Sequence, residues 1–135
     1  MHPLRKLRES GSATAVQVRE LLAGDIVFNS PILAQSIRGR DAIAAIFAQS
    51  SSTRGPGAYT AEFRLDECTT FLRWEGTMDG HKIESFEIIV DDDQGLIVER
   101  TIALRPFPAV KLFRDAMYAS LKDKLPPDVW DYPKD

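Results

Sequence analysis

One stretch limits what this chain can fold into. Thr69–Leu104 reads as three consecutive antiparallel strands, so the segments on either side must cover the sheet they form. Asp79-Gly80 is a two-residue hairpin signal, because such turns need positive φ, which glycine takes at no steric cost. A second turn lies at Asp91-Asp92-Asp93-Gln94-Gly95, where carboxylates can accept backbone N–H bonds and Gly95 can adopt a left-handed conformation. This acidic run reads as a solvated loop. A calcium loop needs alternating oxygen ligands and a glutamate at fixed spacing, which are absent.

Folding at Asp79-Gly80 places Trp74 near Ser85 and Leu72 near Glu87; folding at the second turn places Glu87 near Glu99 or Arg100. A one-residue slip would exchange the faces. In the preferred register one face carries Thr70, Leu72, Trp74, Ile83, Ser85, Glu87, Ile89, Val98, Arg100, Ile102 and Leu104. The other carries Phe71, Arg73, Glu75, Glu84, Phe86, Ile88, Val90, Ile97, Glu99, Thr101 and Ala103. Phe86, Ile88 and Val90 are too apolar for a wet face, and a sheet apolar on both sides needs two covers. With few helices available, a partner subunit is the expected second cover. The first face is core-like yet holds Ser85, Glu87 and Arg100. Buried charges need partners, so Glu87 and Arg100 read either as a structural ion pair or as a polar spot lining a cavity.

A chain of 135 residues, 44% hydrophobic and 27% charged, fits one domain of ordinary globular composition. Its net charge of -3 argues against general nucleic-acid binding; Arg5, Lys6 and Arg8 open no continuous basic stripe. The single cysteine, Cys68, excludes an intramolecular disulfide and a cysteine-rich zinc site and reads as a spectator. No spacing of His, Asp and Glu points to a bound metal, and no cofactor is implied. No apolar run reaches membrane length and no hydrophobic signal region follows the basic opening, so a cytoplasmic location is expected.

His2–Arg8 reads as a partial helical turn and Ala13–Ala23 as a short helix ended by Gly24-Asp25. Ile26-Val27-Phe28 reads as a short strand stopping before Pro31, followed by an irregular pocket wall with Ile32, Leu33 and Ile37. Gly39–Gln49 has helical spacing of Ile43, Ile46 and Phe47, and Ser50–Gly57 reads as a flexible loop. Tyr59–Leu65 alternates as a strand that would put Tyr59, Ala61, Phe63 and Leu65 on one face. After Arg105-Pro106-Phe107-Pro108, a helix carries an apolar stripe of Ala109, Leu112, Phe113, Ala116, Met117 and Leu121. Residues 1–125 thus read as one domain. The tail 126–135, rich in proline and charge, reads as loosely held, with Trp130 and Tyr132 able to dock on the body or a partner.

Leu21–Ile32 (LLAGDIVFNSPI), Ile37–Phe47 (IRGRDAIAAIF) and Phe86–Pro106, in that order, resemble the SnoaL-like branch of the nuclear-transport-factor-2-like, cystatin-like superfamily, which includes polyketide cyclases and ketosteroid isomerase relatives. The resemblance spans about Val16 to Leu121. It implies an α+β fold: a strongly curved mixed or antiparallel sheet wrapped around helices into a cone with an internal apolar pocket, paired as a homodimer through the outer sheet face. In the isomerase relatives an aspartate just before the proline of the short-strand motif is the general base. Here that position is Ser30, beside Asn29. A serine hydroxyl cannot hold a proton acquired at neutral pH. Those relatives also keep a carboxylic acid on a central strand as an oxyanion donor, and Glu87 falls there. Arg100 beside it favours a carboxylate, which accepts and does not donate. The tyrosine expected on the first helix has no counterpart near Ala15–Leu22. Other relatives use a histidine base; His81 follows a tight turn and is expected in solvent, and His2 is terminal.

The expected pocket lining is Phe28, Ser30, Leu33, Phe47, Phe63, Leu72, Trp74, Ser85, Glu87, Ile89, Arg100, Ile102 and Phe113, with Glu87 and Arg100 the candidates for chemistry. Three functions fit. The first is a domain that binds an apolar small molecule. The second is an isomerase or cyclase using Glu87 as acid or base on an apolar cyclic carbonyl compound. The third is a dimeric interaction module with a filled cavity.

Overall fold

The computed structural model describes residues 1–11 and 13–131. The element order is α1 (Pro3–Glu9), α2 (Ala15–Arg19), β1 (Leu22–Asn29), β2 (Ile37–Arg38), α3 (Arg40–Thr53), β3 (Gly57–Arg64), β4 (Thr69–Met78), β5 (His81–Asp91), β6 (Ile97–Arg105) and α4 (Phe107–Leu121), then a 3₁₀ turn at Pro127–Val129. The six strands form one sheet in the order β2-β1-β6-β5-β4-β3. All neighbours are antiparallel except β1 and β6, which run parallel.

This order corrects the expected cone. The sheet is mixed and open, with β2 and β3 at opposite edges and unpaired with each other. Closure would need edge-to-edge hydrogen bonds, and β2 is only two residues long. Register irregularities between Leu22 and Val27, Tyr59 and Ala61, and Val90 and Asp91 bend single strands without closing the sheet.

The β4–β5 hairpin has the register expected from its turn: Trp74 faces Ser85 and Leu72 faces Glu87. Asp79 and Gly80 both have positive φ, 49° and 78°, as a type I′ turn requires. At the second turn Asp92 Oδ1 accepts the N–H groups of Gln94 and Leu96. In β5–β6, Glu87 lies opposite Ile102, and Arg100 lies opposite Ile89. Glu87 and Arg100 are therefore diagonal neighbours on one face, not directly opposed. Val98 is the extra residue at the Val90/Asp91 irregularity, which turns Ile97 into the core and leaves Val98 half-buried.

Several local expectations are corrected. Leu21–Ala23 does not continue a helix; α2 ends at Arg19, and Leu22 pairs with Ile97. Ser50–Thr53 extends α3, because the hydroxyls of Ser51, Ser52 and Thr53 donate to carbonyls one turn back, at Phe47 and Gln49. The segment expected to be irregular contains β2, paired to Val27 and Phe28.

The inner face of the sheet, with Leu72, Ile83 and Ile89 fully buried, packs against α3 and α4. In α4 the buried residues Ala109, Phe113, Met117 and Leu121 recur every fourth position, one stripe facing the core. Each large side chain buried this way contributes about 1.5–3 kcal/mol. Leu125, Val129 and Trp130 join the same core, the Ala34 N–H donating to the Val129 carbonyl and Tyr118 meeting Trp130 edge to face. Tyr132 lies outside the described residues.

The opposite face carries Phe63, Phe71 and Phe86 in a row, with ring centroids 6.3 and 6.5 Å apart, and Ile88 exposed beside them. Glu84 is buried on this face between Arg73 and Arg105, both of which donate to it. No helix among the described residues is long and apolar enough to cross a membrane.

Candidate functional site

The middle of the inner face holds two charges. Alternation along β5 and β6 points Glu87 and Arg100 inward among apolar neighbours, and both side chains are almost inaccessible, at 2% and 3%. Glu87 Oε2 accepts from Arg100 Nε at 3.1 Å and from Nη2. Arg100 also lies over the Phe47 ring at 4.4 Å and 6.0 Å from the Phe28 ring, and those two rings meet edge to face. A guanidinium suits this place, because its flat face stacks on rings while its edge pairs with a carboxylate.

The other carboxylate oxygen, Glu87 Oε1, is buried and has no hydrogen-bond partner among the described residues. Glu87 is one wall of an apolar pocket whose other walls include Phe28, Leu33, Ile102, Leu104, Phe113, Met117 and Trp130. The space open to the centre of a water molecule there is about 30 Å³. That admits roughly two or three waters, each of which takes about 10–15 Å³ by this measure.

Of the expected lining, the pocket brings together Phe28, Ser30, Leu33, Ser85, Glu87, Arg100, Ile102 and Phe113. Phe47, Leu72 and Ile89 are buried around it without bordering it. Trp74 borders an adjoining recess. Phe63 is elsewhere: it is 61% exposed on the outer face. The shift at Thr60 between Tyr59↔Trp74 and Ala61↔Arg73 leaves Tyr59 inward and turns Phe63 outward. Ser30 sits where the isomerase base would be, and its hydroxyl accepts the Ile32 N–H at 3.2 Å, a local turn bond. Neighbouring Asn29 donates to Thr101. His81 is exposed, and Cys68 is an exposed free thiol beside Asp66. No cluster of three or more metal-ligating side chains occurs among the described residues.

Three contributors are not visible in local sequence pattern. The first is α1, which is fastened across the sheet. His2 is 6% exposed; its Nδ1 accepts the Leu4 N–H, so Nε2 carries the proton and donates to Asp91. The His2 backbone N–H donates to Glu62, which also receives Arg5. A histidine before Pro3, a residue suited to the first helical position, was the available signal for this capped start. The second is Arg8, which α1 delivers to the pocket wall. Burial lowers the Arg8 guanidinium from its ordinary value; Tyr59 and Glu87 oppose that shift, and Arg100 adds to it. The third is Arg54, at the end of α3, which lies 4.3 Å over the Trp74 ring. The Tyr59 hydroxyl is buried without a hydrogen bond of ordinary geometry, and burial raises its phenol above the usual value. Neither α1 nor α2 carries a tyrosine; Tyr59 lies on β3.

No protein-family model and no curated protein matches the sequence. Solved structures do match in shape. An uncharacterized bacterial protein with a cystatin-like fold from Silicibacter pomeroyi DSS-3 superposes with a TM-score of 0.83 at 23% identity, covering 92% of this chain and 89% of its own. A steroid delta-isomerase from Pseudomonas aeruginosa gives 0.81 at 20% identity, covering 89% and 87%. An NTF2-like protein of unknown function from Cytophaga hutchinsonii ATCC 33406 gives 0.59 at 15%, covering 78% and 88%. At these identities the likeness is one of fold: the chain has the NTF2-like, cystatin-like fold.

Proposed function

We propose that this protein is a small-molecule-binding domain of the SnoaL-like branch of that superfamily, taking a mostly apolar ligand between β5–β6 and α4. Residues 1–125 form the domain with 126–135 appended, and it acts in the cytoplasm as a homodimer through the outer sheet face. The observation that carries this reading is Glu87, a residue of the apolar pocket wall whose Oε1 is a buried acceptor without a hydrogen-bond partner among the described residues. Such an oxygen costs about 1–3 kcal/mol unless water or a ligand donor meets it. The exposed Phe63 and Ile88 beside Phe71 and Phe86 support the dimer.

The test is extraction and mass spectrometry of protein taken straight from expression, with a crystal structure of the same sample. An organic molecule against Glu87 and Ile102 is the expected result. A pocket holding only water in every preparation, with no thermal stabilisation by a panel of apolar compounds, refutes the reading. That outcome would favour the interaction module, for which the small free space is the supporting observation.

A second reading, an isomerase or cyclase using Glu87, is favoured by the fold shared with a steroid delta-isomerase. Ser30 in the base position and the two N–H bonds that Glu87 accepts from Arg100 count against it. Double-bond isomerisation of a steroid ketone that is abolished in Glu87→Gln would reverse this ranking.

A further inference from the structure

The wall of the pocket is unbalanced in charge. It contains three guanidinium groups, Arg8, Arg54 and Arg100, and one carboxylate, Glu87. Glu87 is committed to Arg100. Neither Arg8 nor Arg54 forms an ion pair among the described residues. Arg54 presents its flat face to Trp74, and its Nε is buried without a hydrogen-bond partner. Guanidinium groups stay charged at any working pH, and charges withdrawn from water are normally paired. Arg8 feels Glu87 and Tyr59, yet neither arginine has a salt-bridge partner among the described residues, and the surplus of positive charge leaves room for an anion.

Arg8 and Arg54 stand between two spaces. Both border the apolar pocket, and both also border an adjoining recess with about 200 Å³ open to water centres, walled by Tyr59, Gly57 and Trp74. Glu9, the one acid on that recess, is bonded to Arg5 at 2.9 Å. A guanidinium edge can hold a carboxylate through two parallel N–H donors. The space behind them is apolar and narrow.

We propose that Arg8 and Arg54 form a carboxylate-binding mouth, so that the ligand is a small organic acid with its carboxylate at the two arginines and its apolar end toward Ile102 and Phe113. This rests on the small-molecule-binding reading above. It assigns α1 a role in recognition, since α1 carries Arg8 to the site.

Binding of hexanoate and benzoate, each compared with its primary amide, is measured by titration calorimetry. Each acid should bind at least about tenfold more tightly than its amide, the size of one lost charge-assisted pair. Arg8→Gln and Arg54→Gln should each remove most of that preference, and Arg54→Lys should keep part of it. Melting curves establish that each variant is folded. Equal binding of acid and amide, or preference unaltered in folded Gln variants, overturns the carboxylate assignment and leaves the pocket reading standing. Inorganic phosphate binding as tightly as hexanoate overturns the apolar half of the assignment. No binding by any of the four organic probes overturns both.

Discussion

Replacing Glu87 by alanine strands Arg100. The guanidinium is 3% exposed and lies inside the sheet–helix core, where the small pocket beside it offers water little room to replace the lost carboxylate. Two N–H bonds disappear together, those from Nε and Nη2. The stacking on Phe47 and Phe28 survives, but it contacts the face of the group and leaves its N–H edge bare. Breaking a buried pair from one side costs about 3–5 kcal/mol. Against a total of roughly 5–15 kcal/mol, that is a large share of the stability.

Urea unfolding of Glu87→Ala reads this loss directly as a lower midpoint. The companion measurement is Glu87→Leu with Arg100→Met. Removing both charges and filling the space with apolar groups should restore stability to within about 1 kcal/mol of the wild type. A loss under about 1 kcal/mol in the single variant would show that water reaches Arg100, and the stranded-charge reasoning would fail. A double variant as unstable as the single would also refute it, by moving the cost from charge to packing.

Glu84 is held below its ordinary value of 4.5 by hydrogen bonds from Arg73 and then Arg105. Its stabilisation is therefore complete above that value and is lost as pH falls toward the depressed one; Glu84→Gln should flatten the acid limb of a urea-midpoint profile below about pH 4.5. Ile88→Glu puts a charge beside the outer aromatic row and should convert the proposed dimer to a folded monomer in sedimentation velocity; a wild type that is already monomeric counts against that interface. Gly76→Ala would set a Cβ 2.2 Å from Trp74 Cη2 and 2.7 Å from the Pro56 carbonyl, displacing the indole from Arg54. It should cost about 1–3 kcal/mol and change the near-ultraviolet dichroism; an unchanged spectrum would mean that Trp74 does not pack on that glycine.

What could be read in advance depended on how local the cause was. Asp79-Gly80 allows one hairpin register, so the shared face of Leu72, Trp74, Ser85 and Glu87 was legible. Arg100 followed because a diagonal offset of two residues keeps the face even when the opposite partner is misjudged. Phe63 was not legible, because one extra residue at Thr60 reverses every side chain beyond it and leaves no mark in an alternating pattern. Ser50–Thr53 read as a loop by composition, yet their hydroxyls bond back to the helix they extend. A strongly curved cone was expected from the order of elements and from the resemblance, and the sheet instead stays open between its β2 and β3 edges. Arg8 and Arg54 were missed because neither belongs to the sheet; their meeting depends on His2 and Glu62 fastening α1 across β3 and β5.

That last dependence gives the pocket its chemical character. The chain as a whole is acidic, at -3, whereas the pocket wall has a surplus of guanidinium groups. The surplus is thus not inherited from composition; it is assembled locally by a terminal helix and the end of α3. The Ser30 hydroxyl is occupied with a backbone N–H, and Glu87 is an acceptor already holding one arginine. A wall with a surplus of guanidinium donors is suited to holding an anion in place. It selects by charge at the mouth and by shape behind it, and both selections can be altered one residue at a time.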